Sequence, residues 1–242
     1  MRTPLNVINS TLQVIDIYKN EKVQDQGEKL DNYLNVVKKN VYRLIKLVNN
    51  IIDISKLDSG FCELNCTYAN MVEVVEDTCM LAVDYAKSKN ITLQFDTTEE
   101  EMYSDFDEDK IERIVLNLLS NALRFTPRGG FIMVNMTREN EWINISIRDT
   151  GIGMEKEKLD FIFDKFTQIN KSNLRGTIGS GLGLSIVKSL IELHGGTIEV
   201  HSEINNGSNF IIKIPITEHK NYEKSGTLVR SKENIKIELG DI

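Results

Sequence analysis

Cysteine and histidine are scarce: three of each in 242 residues. Cys62, Cys66 and Cys79 form no metal-ligand spacing, and His194, His201 and His219 are not grouped with them. An odd, sparse cysteine count fits free thiols in a reducing compartment and argues against a disulfide framework. No run approaches the roughly 18 apolar residues that a membrane-spanning helix requires, and no signal peptide is visible. The expected location is cytoplasmic, with any membrane anchor of a longer natural protein lying upstream of Met1. No block of Lys and Arg interleaves with aromatics, and the net charge is −7, so nucleic acid is not an expected partner. The G-x-x-x-x-G-K-[ST] pattern is absent, as is a G-x-G-x-x-G placed directly after a strand.

What remains is an ordinary composition, 40% hydrophobic and 27% charged, in a chain long enough for one or two domains. Residues 2–18 read as a helix with Leu5, Ile8, Leu12 and Ile15 on one face, and Pro4 falls in the tolerated first turn. Residues 28–57 read as a long helix with a heptad seam, Leu30, Val37, Leu44 and Ile51 alternating with Leu34, Val41 and Val48. Leu47 and Ile54 widen that stripe beyond what one partner helix covers. The expectation is a four-helix bundle made by two chains; the alternative is an intramolecular hairpin packed on the second domain. Asp58-Ser59-Gly60 stops the helix and marks the boundary.

Beyond it, strand and helix alternate. Strands are expected over 61–67, 91–95, 103–106, 131–137, 142–148, 197–202 and 209–216, and helices over 71–87, 109–123 and 184–193. The 131–137 and 142–148 strands pair as a hairpin across Glu139-Asn140. This is an α+β chain, a two-helix hairpin over 1–59 followed by a two-layer α/β sandwich over 60–217. Residues 218–242 are polar and read as a disordered tail, although Ile235, Ile237 and Leu239 alternate as an edge strand would.

The chemistry concentrates between Asp149 and Gly183. Asp149-Thr150-Gly151-Ile152-Gly153 follows a strand, and Gly179-Ser180-Gly181-Leu182-Gly183-Leu184 precedes a helix. Clustered glycines let backbone N–H groups face an anion, and the helix adds positive potential at its start. Asp149, at a strand end, can accept a hydrogen bond from an amino group such as that of adenine. Either cluster alone is equally an ordinary turn. A third element decides: Asn117 and Asn121, four apart, share one helical face, and their amide oxygens suit Mg²⁺. Arg124, one turn on, suits a phosphate.

These motifs resemble those of the sensor histidine kinases of two-component systems, over residues 2–216. The 117–126 run resembles the family's N box, 149–153 its G1 box, Phe161-Ile162-Phe163-Asp164-Lys165-Phe166 its F box, and 179–184 its G2 box. The resemblance implies an ATP-binding domain of the histidine kinase/gyrase/Hsp90 type. By the same resemblance, Asp149 binds the adenine amino group and Gly151 and Gly153 line the base. Asn121 ligates Mg²⁺, with Asn117 and Arg124 supporting the phosphates. Gly179, Gly181, Leu182, Gly183 and Leu184 form the phosphate side of a lid, which Phe163 and Phe166 anchor. ATP and Mg²⁺ are the implied cofactors, and a second copy of the chain and a response-regulator receiver domain the implied partners.

Arg2-Thr3-Pro4-Leu5-Asn6 resembles the end of the phosphoacceptor box, with Thr3 at the position that helps water attack the regulator's phosphoaspartate. The family's histidine and acidic neighbour would stand just before this run, off the start of the chain, so self-phosphorylation is not expected. A nucleotide-dependent scaffold needs the same pocket and stays open as an alternative. A serine kinase of the same ATP-fold superfamily is disfavoured by the heptad front domain.

Overall fold

The computed structural model describes residues 2–20, 27–168, 180–217 and 237–240. Helix α1 (Arg2–Asn20) packs along α2 (Gly27–Asp58). Only part of their apolar surface is used in doing so. Ile15 is buried, whereas Leu5, Leu12, Leu34, Val41, Val48 and Ile51 are each 40–53% exposed. The C-terminal half of α2 turns another face to the second domain, where Ile54 and Leu57 pack against the main core. Helix α2 thus lies on the second domain, as the hairpin alternative expects, while Leu34, Val41, Val48 and Ile51 of its heptad seam stay exposed within this chain.

The second domain begins with a departure from expectation. Residues 61–66 are not a strand; β1 is Thr67–Asn70, antiparallel to β3 (Tyr103–Phe106), with Tyr68 stacked on Tyr103 at 5.5 Å. Phe61 is 80% exposed, and the Asn65 N–H is taken by the Asp107 carboxylate at 2.9 Å instead of by a ladder partner. Apolar content in this stretch was mistaken for pleat.

Helix α3 (Met71–Ser88) starts where the Asn70 side chain accepts from the Val72 N–H, a cap that Met102 N–H shares at 2.9 Å. Helix α4 (Glu108–Phe125) is capped by Asp107, which accepts from the Lys110 N–H. A five-stranded sheet follows the order β2 (Thr92–Thr97), β4 (Phe131–Glu139), β5 (Trp142–Asp149), β7 (Gly207–Pro215), β6 (Thr197–Glu203). All its pairs are antiparallel except β2 with β4, a parallel pair that α4 spans. Glu139 pairs with Trp142, so the β4–β5 turn tips one residue later than expected, at Asn140-Glu141, with Asn140 at φ 53°.

One face of the sheet alternates strictly. Ile132, Val134 and Met136 of β4, Ile143, Ile145 and Ile147 of β5, and Phe210, Ile212 and Ile214 of β7 are buried. They meet α3, α4 and α5 (Gly183–Leu193), whose Ile114, Leu118, Ile186 and Leu190 complete a single core. Truncating one of these, Ile145→Ala for example, costs about 2–5 kcal/mol.

The expected disordered tail is corrected for the part described. Residues 237–240 form a helical turn whose Leu239 is fully buried in the core, and Ser120 and Lys46 bond to its backbone. A leucine side chain with a partner surface at hand outweighs the polarity of the surrounding tail.

Candidate functional site

The central strand β5 carries Asp149 at its C-terminal end, at 6% exposure. Its Oδ1 accepts from the Gly151 N–H at 2.7 Å. Burial pushes this carboxyl above the ordinary value, while backbone N–H groups of Gly151 and Ser208 pull it partly back. A buried carboxylate acceptor is what an amino group of a ligand would complete. Three glycines keep the surroundings open. A Cβ on Gly151 would sit 2.5 Å from Asp149 Oδ1, one on Gly153 (φ 64°) 1.8 Å from the Glu203 carbonyl oxygen, and one on Gly207 (φ 80°) 1.9 Å from that of Asp149. The sequence singles out the first two; Gly207 falls between the strands expected over 197–202 and 209–216, where nothing local shows the Asp149 carbonyl behind it.

The same loop rests on the end of α4, where the Ile152 N–H donates to the Phe125 carbonyl at 3.2 Å. Helix α4 carries Asn117, Asn121 and Arg124. Asn117 is buried with its Nδ2 unpartnered, Asn121 is half-buried, and Arg124 is half-buried in the last turn. The beginning of α5 closes on this face: a Cβ at Gly183 would lie 2.5 Å from Asn117 Oδ1. The residue preceding α5, Leu182, is buried and supplies no side-chain cap, so the first-turn N–H groups keep their donor capacity. Leu184 is half-buried in that turn.

Gly181 (φ 72°) accepts from the Phe166 N–H at 2.8 Å, which ties the aromatic loop to the second glycine cluster. Phe163 is partly buried with Lys188 Nζ 5.9 Å above its ring, whereas Phe166 is 70% exposed. Gly179 lies outside the described residues. Thr3 is exposed on α1. The structure thus sets Gly183 and the α5 start against Asn117 of α4, and the Gly151-Ile152 loop that follows Asp149 against Phe125 at the end of the same helix, with Thr3 on a separate helix. An orphaned buried amide, a buried carboxylate and an uncapped helix start suit a nucleotide with its phosphates. Among the described residues no group of three or more His, Cys, Asp or Glu side chains could hold a metal by itself, so a cation here would depend on amide and phosphate oxygens.

Sequence reading missed the seam between the domains. Asn50, 1% exposed on α2, accepts from Arg113 Nη2 of α4 at 3.3 Å and donates to Ser180 Oγ at 3.5 Å. Arg113 also pairs with Asp53, and Lys165 of the aromatic loop reaches Asp58 at 2.5 Å. Polar residues on a heptad helix carry no local sign of such distant partners.

Residues 106–218 match the family of histidine kinase-, DNA gyrase B- and HSP90-like ATPases, and residues 1–60 match the His Kinase A (phospho-acceptor) domain. The chain belongs to the sensor histidine kinases. By family it is a protein-histidine kinase with an ATP-binding domain. Hybrid signal transduction histidine kinase D of Dictyostelium discoideum is 34% identical over 90% of this chain and 14% of its own length. Sensor histidine kinase WalK of Bacillus subtilis is 29% identical over 91% of this chain and 36% of its own. A crystal structure of the histidine kinase ThkA in complex with response regulator protein TrrA superposes with a TM-score of 0.68 at 26% identity, covering 89% of this chain and 58% of that one. The chain thus spans well under half the length of these two kinase relatives. Among its described residues no helix is long and apolar enough to cross a membrane.

Proposed function

We propose that α4, the Asp149 loop and the α5 start together bind ATP with Mg²⁺ and that the chain transfers the γ-phosphoryl group to a histidine, for relay to an aspartate of a response regulator. The observation that carries this reading is the convergence of Asp149 and its glycines with the Asn117 face and the uncapped α5 start. Asp149 accepts from the adenine amino group, with Gly151 and Gly153 leaving room for the ring. Asn121 holds Mg²⁺, which neutralises developing phosphate charge when bound. Asn117 and Arg124 position the phosphates, and the α5 N–H groups with Gly179, Gly181, Leu182, Gly183 and Leu184 face them. The protein's share is orientation and electrostatics more than covalent chemistry.

None of this chain's histidines is read as the acceptor. His194 Nδ1 lies 2.7 Å from the Leu190 carbonyl and its Nε2 accepts from the Asp107 N–H at 3.3 Å, so the neutral ring is fully engaged. Burial lowers its pKa, which suits that neutral form. His201 is exposed on β6, away from any acidic box, and His219 lies outside the described residues. The chain alone is therefore expected to bind ATP without labelling itself. Transfer in a mixed dimer, to a chain that carries the motif histidine, is the expected activity. The exposed seam of α1 and α2 supports homodimerisation, and Thr3, exposed on α1, stands at the motif position that assists dephosphorylation of a docked regulator. The thiols and the ATP requirement favour a cytoplasmic setting.

Labelled ATP tests this. Acid-labile label on an added histidine-bearing chain whose own ATP site is dead, and none on this chain, is expected. Label absent from both, with ATP bound, would favour a nucleotide-dependent scaffold instead.

A further inference from the structure

The described tail turn, residues 237–240, bonds to α4 at Ser120, the residue next to Asn121. At 3.6 residues per turn, Arg113, Asn117, Ser120, Asn121 and Arg124 fall within a sector of about 100°. Ser120, in that sector, is 2% exposed, and its hydroxyl donates to the Glu238 carbonyl at 3.1 Å. The same carbonyl accepts from Lys46 Nζ of α2 at 2.9 Å, and the Glu238 carboxylate pairs with Lys46 at 2.7 Å. Leu239 beside it is fully buried within the core cluster. Four residues thus bridge the helix of the phosphotransfer domain and the helix that carries the nucleotide amides.

We propose that this C-terminal turn is an autoinhibitory strap, an intramolecular occupant that pins α4 to α2 and that ATP–Mg²⁺ must displace. The inference rests on the ATP reading of the site. Charge favours exclusion: while docked, the Glu238 carboxylate neutralises Lys46, so that cation is not offered to a polyphosphate brought to the same helix. Chain length permits release and return. Residues 218–236, 19 in number, can reach about 65 Å when extended, so the turn docks by its own contacts and not because a short connection forces it there.

Two variants of the full chain, Leu239→Asp and Glu238→Lys, attack the strap from its apolar and its ionic side without touching Asn117, Asn121, Arg124 or Asp149. In hydrogen exchange of the nucleotide-free wild type, the amides of residues 237–240 are expected to be protected by about tenfold or more, and Leu239→Asp to remove that protection. Saturating ATP–Mg²⁺ is expected to remove it in the wild type. If the strap is docked about nine-tenths of the time, both variants bind ATP–Mg²⁺ about tenfold more tightly than wild type by calorimetry. Three results overturn the strap: an unprotected tail, a tail still protected when ATP is bound, or equal affinities in all three chains. Failure of every chain to bind ATP overturns the competition in a distinguishable way, since it removes the nucleotide reading as well.

Discussion

The two domains differ in how completely each buries itself. The ATP-binding domain alternates cleanly along β4, β5 and β7, caps α3 and α4 with Asn70 and Asp107, and gathers its apolar side chains into one core. The helical hairpin is unfinished. Leu34, Val41, Val48 and Ile51 of α2 stand in a row with no cover, although their heptad spacing is the most regular feature of the sequence. A domain that satisfies itself can carry a site within one chain; a domain that leaves a seam open needs a second chain to be stable. The proposed function divides the same way, with nucleotide binding assigned to the first and assembly and transfer to the second.

The strongest way to break that contrast is to damage the site and leave the fold alone. Asp149→Asn keeps an acceptor for the Gly151 N–H but removes the charge that the adenine amino group meets. ATP affinity should fall by about 100-fold. Because burial raises the Asp149 pKa in the folded state, its charged form is the costly one, and that cost appears as pH rises through the carboxylate range. The variant should therefore melt at or above the wild-type temperature at neutral pH, and the difference should vanish in acid below the ordinary carboxyl value of 3.8. A melting temperature that falls with the affinity would make Asp149 a structural residue.

Gly207→Ala reverses the pattern, striking fold and site together. Its Cβ would collide with the Asp149 carbonyl at a backbone conformation that alanine resists, costing about 2–4 kcal/mol in denaturant titration along with nucleotide binding. On the other domain, Val48→Asp should convert a dimer to a monomer in light scattering while calorimetric ATP binding persists. A monomeric wild type at micromolar concentration would remove the dimer claim. Smaller again, Arg113→Ala releases Asp53 and Asn50 at the seam between domains. The expected change is about 1 kcal/mol or less in global stability, read mainly as faster exchange along α2.

How much of this was legible beforehand follows the range of each interaction. The glycines of residues 149–153 and 181–183 announce themselves because positive φ and close backbone approach exclude other residues locally. The heptads and the alternating strands are likewise written in short periods. Asn50, Asp53 and Arg113 were invisible because each looks like an ordinary polar position on its own helix; only the packing of one domain on the other assigns them. The stretch at 61–66 misled for a related reason: the Asp107 carboxylate, far along the chain, captures a backbone N–H that a strand would have used. Leu239 stands out in its polar tail as one of three alternating apolar residues, but its burial in a helical turn depends on a surface more than 100 residues away.

The smallest of the expected effects concerns His194. Its folded pKa lies below the ordinary 6.5, so the neutral ring contributes stability that is present above that value and lost as pH falls through it. Replacing it with Gln, which can keep a donor and an acceptor, should flatten the decline in melting temperature below pH 6.5.

The central claim is that a buried carboxylate reads an adenine. Titration of the chain with ATP–Mg²⁺ and with GTP–Mg²⁺ tests it directly, because guanine presents a carbonyl oxygen where adenine presents an amino group. The account predicts that ATP binds about 100-fold more tightly, and that Asp149→Asn erases the difference. Equal heats for the two nucleotides, or a preference that survives the substitution, would contradict it.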